Sequence, residues 1–222
     1  MIICLVTDRR RLGAAIGARP DELIDALEAQ VVAAAGAGID FVQIREPDLE
    51  AAALAALVRS ITFKCRKTSA RILVNDRFDV ALAAGAAGVQ LKESSFSPDQ
   101  ARRFAPPRFV IGCSVHTPVT ATARRSADFL IAGTVAPTVS KPAADYLGWK
   151  GLEKVIGAAR GTPVLGIGGL DLPSIPMLVA SGAAGLAAVG AFIPTVGQGP
   201  AEFVQKRVID MRFAFDSAQR DP

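Results

Sequence analysis

The chain has 222 residues, 50% hydrophobic and 21% charged, with a formal net charge of +4. This length and composition allow a substantial buried core in one domain spanning residues 1–222. The basic excess suits anionic small molecules, but it is too small and too scattered for a nucleic-acid-binding protein.

Eight short apolar runs predict β-strands, and segments with apolar residues at helical spacing lie between them. The runs cover residues 2–6, 40–44, 71–74, 88–91, 109–113, 128–131, 163–167 and 185–189. They lack polar alternation, which is typical of strands covered on both faces. An α/β fold, a single (β/α)₈ TIM barrel, is favoured over a doubly wound open sheet, which shares the local pattern. Residues 201–218 predict a final helix that packs on the barrel through Phe203, Phe213 and Phe215.

The three cysteines indicate a reducing compartment. Cys4, Cys65 and Cys113 are odd in number and widely spaced, so they predict neither a disulfide framework nor a metal motif. We find no pattern of a signal peptide in the first residues and no apolar run long enough to span a membrane. We therefore expect a cytoplasmic protein with no membrane partner.

Polar residues follow the predicted strands, where barrel enzymes carry their active sites. The candidates are Gln43, Arg45, Asn75, Asp76, Ser114, His116, Thr138, Ser140 and Lys141. Asp76 with Asn75 offers oxygen ligands to Mg²⁺; alternatively, Asp76 pairs with Arg45 or Arg77. The loop at residues 137–142 offers hydroxyl and ammonium donors to a phosphate or diphosphate, unless it is only a solvated surface loop.

Glycines leave the seventh and eighth predicted strands. Gly168 and Gly169 follow the seventh, and Gly190 follows the eighth. Barrels commonly bind phosphate at this pair of loops through backbone N–H groups, and glycine permits a close approach of the anion. A simple turn is the alternative, but the placement of both loops favours phosphate binding.

His116 is the only histidine and follows the fifth predicted strand. Its ordinary pKa suits proton transfer near neutral pH, although a solitary histidine is often structural. Cys113 precedes it by three residues, but a cysteine that ends an apolar strand is more often buried than nucleophilic.

Taken together, these segments resemble the thiamine phosphate synthase and thiazole tautomerase family. The matching phrases are CLVTD (4–8), VQIRE (42–46), VNDR (74–77), DVAL (79–82), GVQL (88–91), IGCSVH (111–116), GTVAPT (133–138), KP (141–142), GIGG (166–169) and GAAG (182–185). Individually most of them are weak, but they occur in the family's order over nearly the whole chain.

For the synthase branch, the resemblance implies Mg²⁺-dependent coupling of hydroxymethylpyrimidine diphosphate with thiazole phosphate, releasing diphosphate. Asp76 would bind the metal, and the glycines Gly168, Gly169 and Gly190 would hold the thiazole phosphate. The diphosphate and pyrimidine would be held by Gln43, Arg45, Asn75, Ser114, Thr138, Ser140 and Lys141.

Two positions depart from the synthase pattern. Pro47 stands where synthases carry a lysine, and Ser95 stands where they carry a second metal-binding aspartate. A lost carboxylate weakens a Mg²⁺ site and a lost cation weakens diphosphate binding, unless Glu93 or Asp48 compensates.

Ser95 and the phrase ending in His116 resemble the tautomerase branch more closely. That branch implies a proton transfer that aromatises a carboxythiazole phosphate and requires no cofactor. His116 would move the proton, with Arg45 and Ser114 beside it as further catalytic residues.

We therefore expect an enzyme of thiamine biosynthesis, tautomerase-like in the first place. A thiamine phosphate synthase that uses Mg²⁺ is the alternative, and a non-catalytic binder of phosphate ligands is a third. The expected partners are small phosphate or diphosphate molecules, and the family resemblance suggests a homodimer.

Overall fold

The computed structural model describes residues 1–138, 146–195 and 198–220. Eight parallel strands close into a barrel, with β8 hydrogen-bonded to β1, which confirms the predicted (β/α)₈ fold. The strands are β1 (Ile2–Val6), β2 (Phe41–Ile44), β3 (Arg71–Asn75), β4 (Gly88–Leu91), β5 (Val110–Val115), β6 (Phe129–Gly133), β7 (Val164–Ile167) and β8 (Gly185–Ala188).

Helices between the strands cover the outside of the barrel. They are α1 (Arg9–Ile16), α2 (Leu23–Gly36), α3 (Ala51–Cys65), α4 (Phe78–Ala83), α5 (Pro98–Arg102), α6 (Pro118–Arg124), α7 (Gly148–Ala159), α8 (Ile175–Ala180) and α9 (Pro200–Arg220). Short 3₁₀ turns cover Pro20–Glu22, Leu172–Ser174 and Gly190–Phe192. None of the helices in the described ranges has the length and apolar character needed to cross a bilayer.

Three strands run further than the apolar pattern predicts. β3 reaches Asn75, β5 reaches Val115 and β6 reaches Gly133, because their ladders continue through Asn75↔Gln90, Val115↔Ala132 and Gly133↔Ile167. Interstrand hydrogen bonds, rather than apolar composition, set these ends. Ser114 therefore lies within a strand, not in the loop after it.

The barrel interior is filled with side chains below the site. Phe129 is 1% exposed and stacks on Phe41 with ring centroids 4.9 Å apart. Gly112 makes room for this ring, since a Cβ there would lie 2.3 Å from Phe129 Cζ. A filled interior leaves the open end at the carboxyl termini of the strands as the place for ligands.

The last helix, α9, packs on the barrel as predicted, but through a different set of side chains. Its buried stripe is Val204, Val208, Met211 and Phe215. Phe213 is 74% exposed, so its predicted packing is wrong. A residue two positions before Phe215 points to nearly the opposite side of a helix with 3.6 residues per turn.

Candidate active site

A cavity of about 650 Å³ opens at the carboxyl ends of the strands. It brings together seven of the residues expected from the sequence: Gln43, Arg45, Asn75, Ser114, His116, Thr138 and Gly168. Ser140 and Lys141 lie outside the described residues. Closure of the barrel thus brings these polar side chains into one cluster at the carboxyl ends of the strands, the barrel mouth. The role of each side chain stays a prediction.

A second cavity, of about 320 Å³, adjoins the first at β7 and β8. Its lining includes Gly168, Gly169 and Gly190, and it shares Thr138 and Gly168 with the larger cavity. Gly169 has a φ of +66°, and a Cβ there would lie 2.5 Å from the Pro137 carbonyl oxygen. Only glycine fits this turn, so the backbone itself forms the cavity wall.

Arg11 faces the glycine-lined cavity, which the sequence did not indicate. Its Nη2 lies 3.2 Å from the position a Cβ on Gly190 would take, and it makes no ion pair with the residues described. Asp8 fixes the start of α1 by accepting from the Arg11 backbone N–H at 3.0 Å. Consecutive helix residues point about 100° apart, which was the available signal that Arg11 need not face the same way as Arg9 and Arg10, both of which pair with Asp48.

Arg9 joins two carboxylates on the opposite side of the mouth. Its guanidinium donates to Glu46 at 2.8 Å and to Asp48 at 2.7 and 2.6 Å. The hydrogen bond from Arg9 lowers the pKa of Asp48 to about 2, whereas burial raises the pKa of Glu46 despite its bonds from Thr7 and Arg9. Both carboxylates are therefore paired with Arg9.

Thr7 links this cluster to the cavity. It is fully buried, donates to Glu46 Oε1 at 2.7 Å and accepts from the Arg45 backbone N–H at 2.9 Å. These bonds fix the backbone from which the exposed Arg45 side chain reaches the larger cavity.

Two pairs of hydrogen-bonded side chains contribute Gln43, Asn75 and Ser114 to the lining of the larger cavity beside Arg45. Gln43 donates to Asn75 Oδ1 at 2.8 Å, and Gln90 donates to Ser114 Oγ at 3.3 Å. A pair of this kind holds donors and acceptors in fixed directions, which suits recognition of a polar heterocycle.

Asp76 follows β3 in the left-handed conformation, with φ +62°. Its carboxylate lies 2.7 Å from Lys92 Nζ and accepts a hydrogen bond from the Ser95 hydroxyl. The alternative pairing of Asp76 with Arg45 or Arg77 is wrong, because Arg77 pairs with Asp79 at 2.6 Å and Asp76 pairs with Lys92 from the loop after β4. Burial raises the pKa of Asp76, but the bonds from Lys92 and Ser95 outweigh it and leave this pKa below its usual value.

The donor set does not fit Mg²⁺, which takes one or two free carboxylates in addition to phosphate oxygens. Asp76 is already neutralised by Lys92, and Asp48 by Arg9. Within residues 1–138, 146–195 and 198–220, no group of three His, Cys, Asp or Glu side chains is placed to hold a metal ion. Neither Glu93 nor Asp48 compensates for Ser95 as a ligand.

His116 contacts Glu93 through its Nδ1 atom and lies in the wall of the larger cavity. Burial raises the pKa of Glu93, but hydrogen bonds from Thr120 and His116 outweigh burial and lower it. A carboxylate on Nδ1 fixes the imidazole and leaves Nε2 for a ligand. Sequence reasoning considered Glu93 only as a substitute metal ligand and missed this pair.

Cys113, three residues before His116, is fully buried, and burial raises the pKa of its thiol to about 11. A thiol of this kind is protonated at neutral pH and is a poor nucleophile. The expectation that Cys113 is buried, and not reactive, agrees with this environment.

The fold and these two cavities define a (β/α)₈ barrel with space for small molecules at the carboxyl ends of its strands. The family described as thiamine monophosphate synthase matches residues 13–192, and the chain belongs to that family. The resemblance drawn from the sequence motifs is thereby confirmed.

Individual relatives agree with this family. The putative thiamine-phosphate synthase 2 of Aquifex aeolicus is 32% identical over 190 residues, covering 85% of this chain and 95% of that protein. The thiamine-phosphate synthase of Methanospirillum hungatei is 37% identical over 158 residues, covering 70% and 77%. The solved structure of thiamine phosphate pyrophosphorylase from Pyrococcus furiosus superposes with a TM-score of 0.76 at 26% identity, covering 98% of this chain and 96% of that one.

Proposed function

We propose that this chain is a thiamine-phosphate synthase that joins a pyrimidine diphosphate to a thiazole phosphate. The observation that carries the proposal is the pair of adjoining cavities at the barrel mouth, of about 650 and 320 Å³. A transfer between two substrates needs two subsites with a shared boundary, whereas an isomerisation needs one. The names of the relatives support this alternative better than the tautomerase expectation.

The smaller cavity suits the phosphate of the thiazole substrate. Backbone N–H groups at Gly168, Gly169 and Gly190 supply directional donors, and the Arg11 guanidinium supplies positive charge. The thiazole ring would then extend past Thr138 toward the larger cavity.

The larger cavity suits the pyrimidine diphosphate. Gln43, Asn75 and Ser114 would hold the pyrimidine, while Arg45 and Lys92 lie in the same wall to face its diphosphate. Two cations beside an anionic leaving group favour its departure, because they stabilise the charge that develops on it.

The reaction needs no net proton transfer. The bond between the pyrimidine methylene carbon and the diphosphate oxygen breaks, and diphosphate leaves with the electron pair. The lone pair on the thiazole nitrogen then forms the new carbon–nitrogen bond and makes the ring a thiazolium. Positioning of the two substrates and stabilisation of the departing anion are therefore the main tasks of the side chains.

The test is formation of thiamine phosphate from thiazole phosphate and pyrimidine diphosphate by purified protein, followed by chromatography, in EDTA and with added Mg²⁺. We expect product from the wild-type protein and far less from Gly190→Asp at the same substrate concentrations, since its carboxylate would occupy the phosphate subsite. Absence of product from folded protein that still binds thiazole phosphate would contradict the proposal.

The contact between Glu93 and His116 favours a second candidate, the tautomerase reaction. A histidine oriented by a carboxylate suits the proton shift that aromatises a carboxythiazole phosphate. His116→Asn should then abolish that isomerisation while thiazole phosphate binding is preserved. If the coupling reaction is the true function, the same variant should keep coupling within about tenfold of wild type, since no proton transfer is required. Ligand-induced stabilisation without either turnover would indicate the third expectation, a non-catalytic binder.

A further inference from the structure

We infer that Lys92 replaces a divalent metal ion in this protein, so that its ammonium group binds the diphosphate of the substrate directly. The inference rests on the proposed function, because it assigns the cation that faces the leaving group. It also follows from the misfit between the side chains around Asp76 and the needs of Mg²⁺.

Side chains of this chain already contact both carboxylate oxygens of Asp76, where a metal ion would bind. Lys92 Nζ lies 2.7 Å from one carboxylate oxygen, and the Ser95 hydroxyl donates to the other. Asp76 itself is held by its backbone N–H, which donates to the Gln90 carbonyl at 2.8 Å. A Mg²⁺ ion would have to displace the ammonium and give up part of its own water shell to gain one carboxylate.

Carboxylates elsewhere in the mouth do not add to Asp76. Glu46 accepts hydrogen bonds from Thr7 and Arg9, and Glu93 contacts His116. Removing Glu46 from Arg9 would leave a cation without its counter-charge, which is costly in a partly buried site, and removing Glu93 would break its contact with His116. The described part of the mouth therefore offers a single carboxylate, neutralised by a lysine of the same chain.

Lys92 is placed to bind an anion as well as Asp76. Its side chain is 59% exposed, against 26% for Asp76. It lies in the wall of the larger cavity and also in that of a third, smaller cavity beside Asp76 and Pro47. An ammonium has three donors, and the contact with Asp76 uses one, so the others can reach diphosphate oxygens as a point charge.

Arg45 lies in the same cavity wall as Lys92. Together the two side chains carry the charge of one divalent ion, distributed over two positions. A pair of cations supplied by the chain itself needs no metal to be recruited with the substrate.

The first test measures binding of inorganic diphosphate in EDTA by calorimetry. We expect binding by the wild-type protein and a loss of affinity of about tenfold or more in Lys92→Met. Lys154→Met is the matched control, because Lys154 is exposed on α7 without an ion pair to the described residues; it should bind within about twofold of wild type. An unchanged affinity in Lys92→Met would overturn the inference.

The second test uses Mn²⁺ alone, followed by electron paramagnetic resonance, and does not depend on turnover. Wild-type protein should bind no Mn²⁺ at up to about 1 mM. The double variant Lys92→Met with Ser95→Asp, which removes the ammonium and adds a carboxylate, should bind it. Binding of Mn²⁺ by the wild-type protein below that concentration would overturn the inference even if the variants fail to fold.

The coupling assay separates this inference from the proposed function. Coupling that requires Mg²⁺ would refute the role of Lys92 and leave the synthase proposal intact. Diphosphate binding in EDTA that depends on Lys92, without any coupling, would refute the synthase proposal and support the role of Lys92.

Discussion

The two sides of the barrel mouth handle charge in opposite ways. At β7 and β8, glycines and other small or apolar residues form most of the wall, Asp171 in that wall pairs with Arg207, and Arg11 faces it without an ion pair to the described residues. At β2 to β4, Arg9 holds two carboxylates and Lys92 holds Asp76. A site made of backbone donors keeps its positive potential for an incoming anion, whereas side chains of both signs satisfy one another first.

The largest expected effect comes from placing a carboxylate in the glycine-lined cavity. Gly190→Asp should weaken thiazole phosphate binding by about 100-fold, roughly 2.7 kcal/mol, because it repels the phosphate and competes for Arg11. Titration calorimetry measures the loss. Gly190→Asn is the matched control of the same size, and it should retain most of the affinity. Equal losses in the two variants would show that space, not charge, matters there.

On the opposite side, removal of one hydroxyl should affect stability. Thr7→Val leaves the Arg45 backbone N–H without a partner and removes one of the hydrogen bonds that Glu46 accepts, which costs about 2 kcal/mol of the free energy of unfolding. Urea denaturation measures this change. Thr122→Val, which removes an exposed hydroxyl that bonds to the Pro118 carbonyl and more weakly, at 3.4 Å, to that of Ala158, is the control and should change stability little. An unchanged free energy of unfolding in Thr7→Val would mean that water replaces these bonds.

Arg11→Gln tests whether a single cation strengthens the glycine-lined cavity. We expect thiazole phosphate affinity to fall about tenfold, since hydrogen bonds to charged groups contribute about 1.5–3 kcal/mol. Arg10→Gln is the natural comparison, because Arg10 is exposed and pairs with Asp48 instead. If Arg10→Gln has the larger effect, the assignment of the two arginines is reversed.

The smallest effect concerns acid stability on the carboxylate side. Folding lowers the pKa of Asp48 from 3.8 to about 2, so its ion pair stabilises the fold above pH 4 and is lost as the pH falls toward 2. Asp48→Asn should therefore cost on the order of 1 kcal/mol at neutral pH and only a small fraction of that near pH 2.

Thermal unfolding of Asp48→Asn across this pH range gives the measurement. Glu153→Gln serves as the control, because Glu153 is exposed on α7 without an ion pair to the described residues. A stability difference for Asp48→Asn that persisted at pH 2 would contradict the electrostatic origin.

The fold was predictable because both glycine turns and apolar runs are local signals. The predicted runs at residues 2–6 and 88–91 agree with β1 and β4, and the glycines after β7 line the expected cavity. Errors arose where a boundary depends on a neighbouring strand, as at Ser114, or where a helix face decides burial, as at Phe213.

The charged partners were not predictable in the same way. Lys92 and Asp76 lie in loops that follow adjacent strands, and only the closed barrel brings the ammonium nearer than Arg77. Glu93 likewise reaches His116 from another loop. Ion pairing across loops depends on side-chain directions that no spacing in the sequence encodes.

The three buried thiols have a practical consequence. Burial raises the pKa of Cys4 to about 12 and that of Cys113 to about 11. Cys65 is also buried, and burial raises the pKa of its thiol. Maleimide dyes should therefore leave the native cysteines unmodified under ordinary labelling conditions. Ser94 is exposed on the rim of the larger cavity, so Ser94→Cys would carry a fluorophore beside the entering ligand without any need for a cysteine-free background.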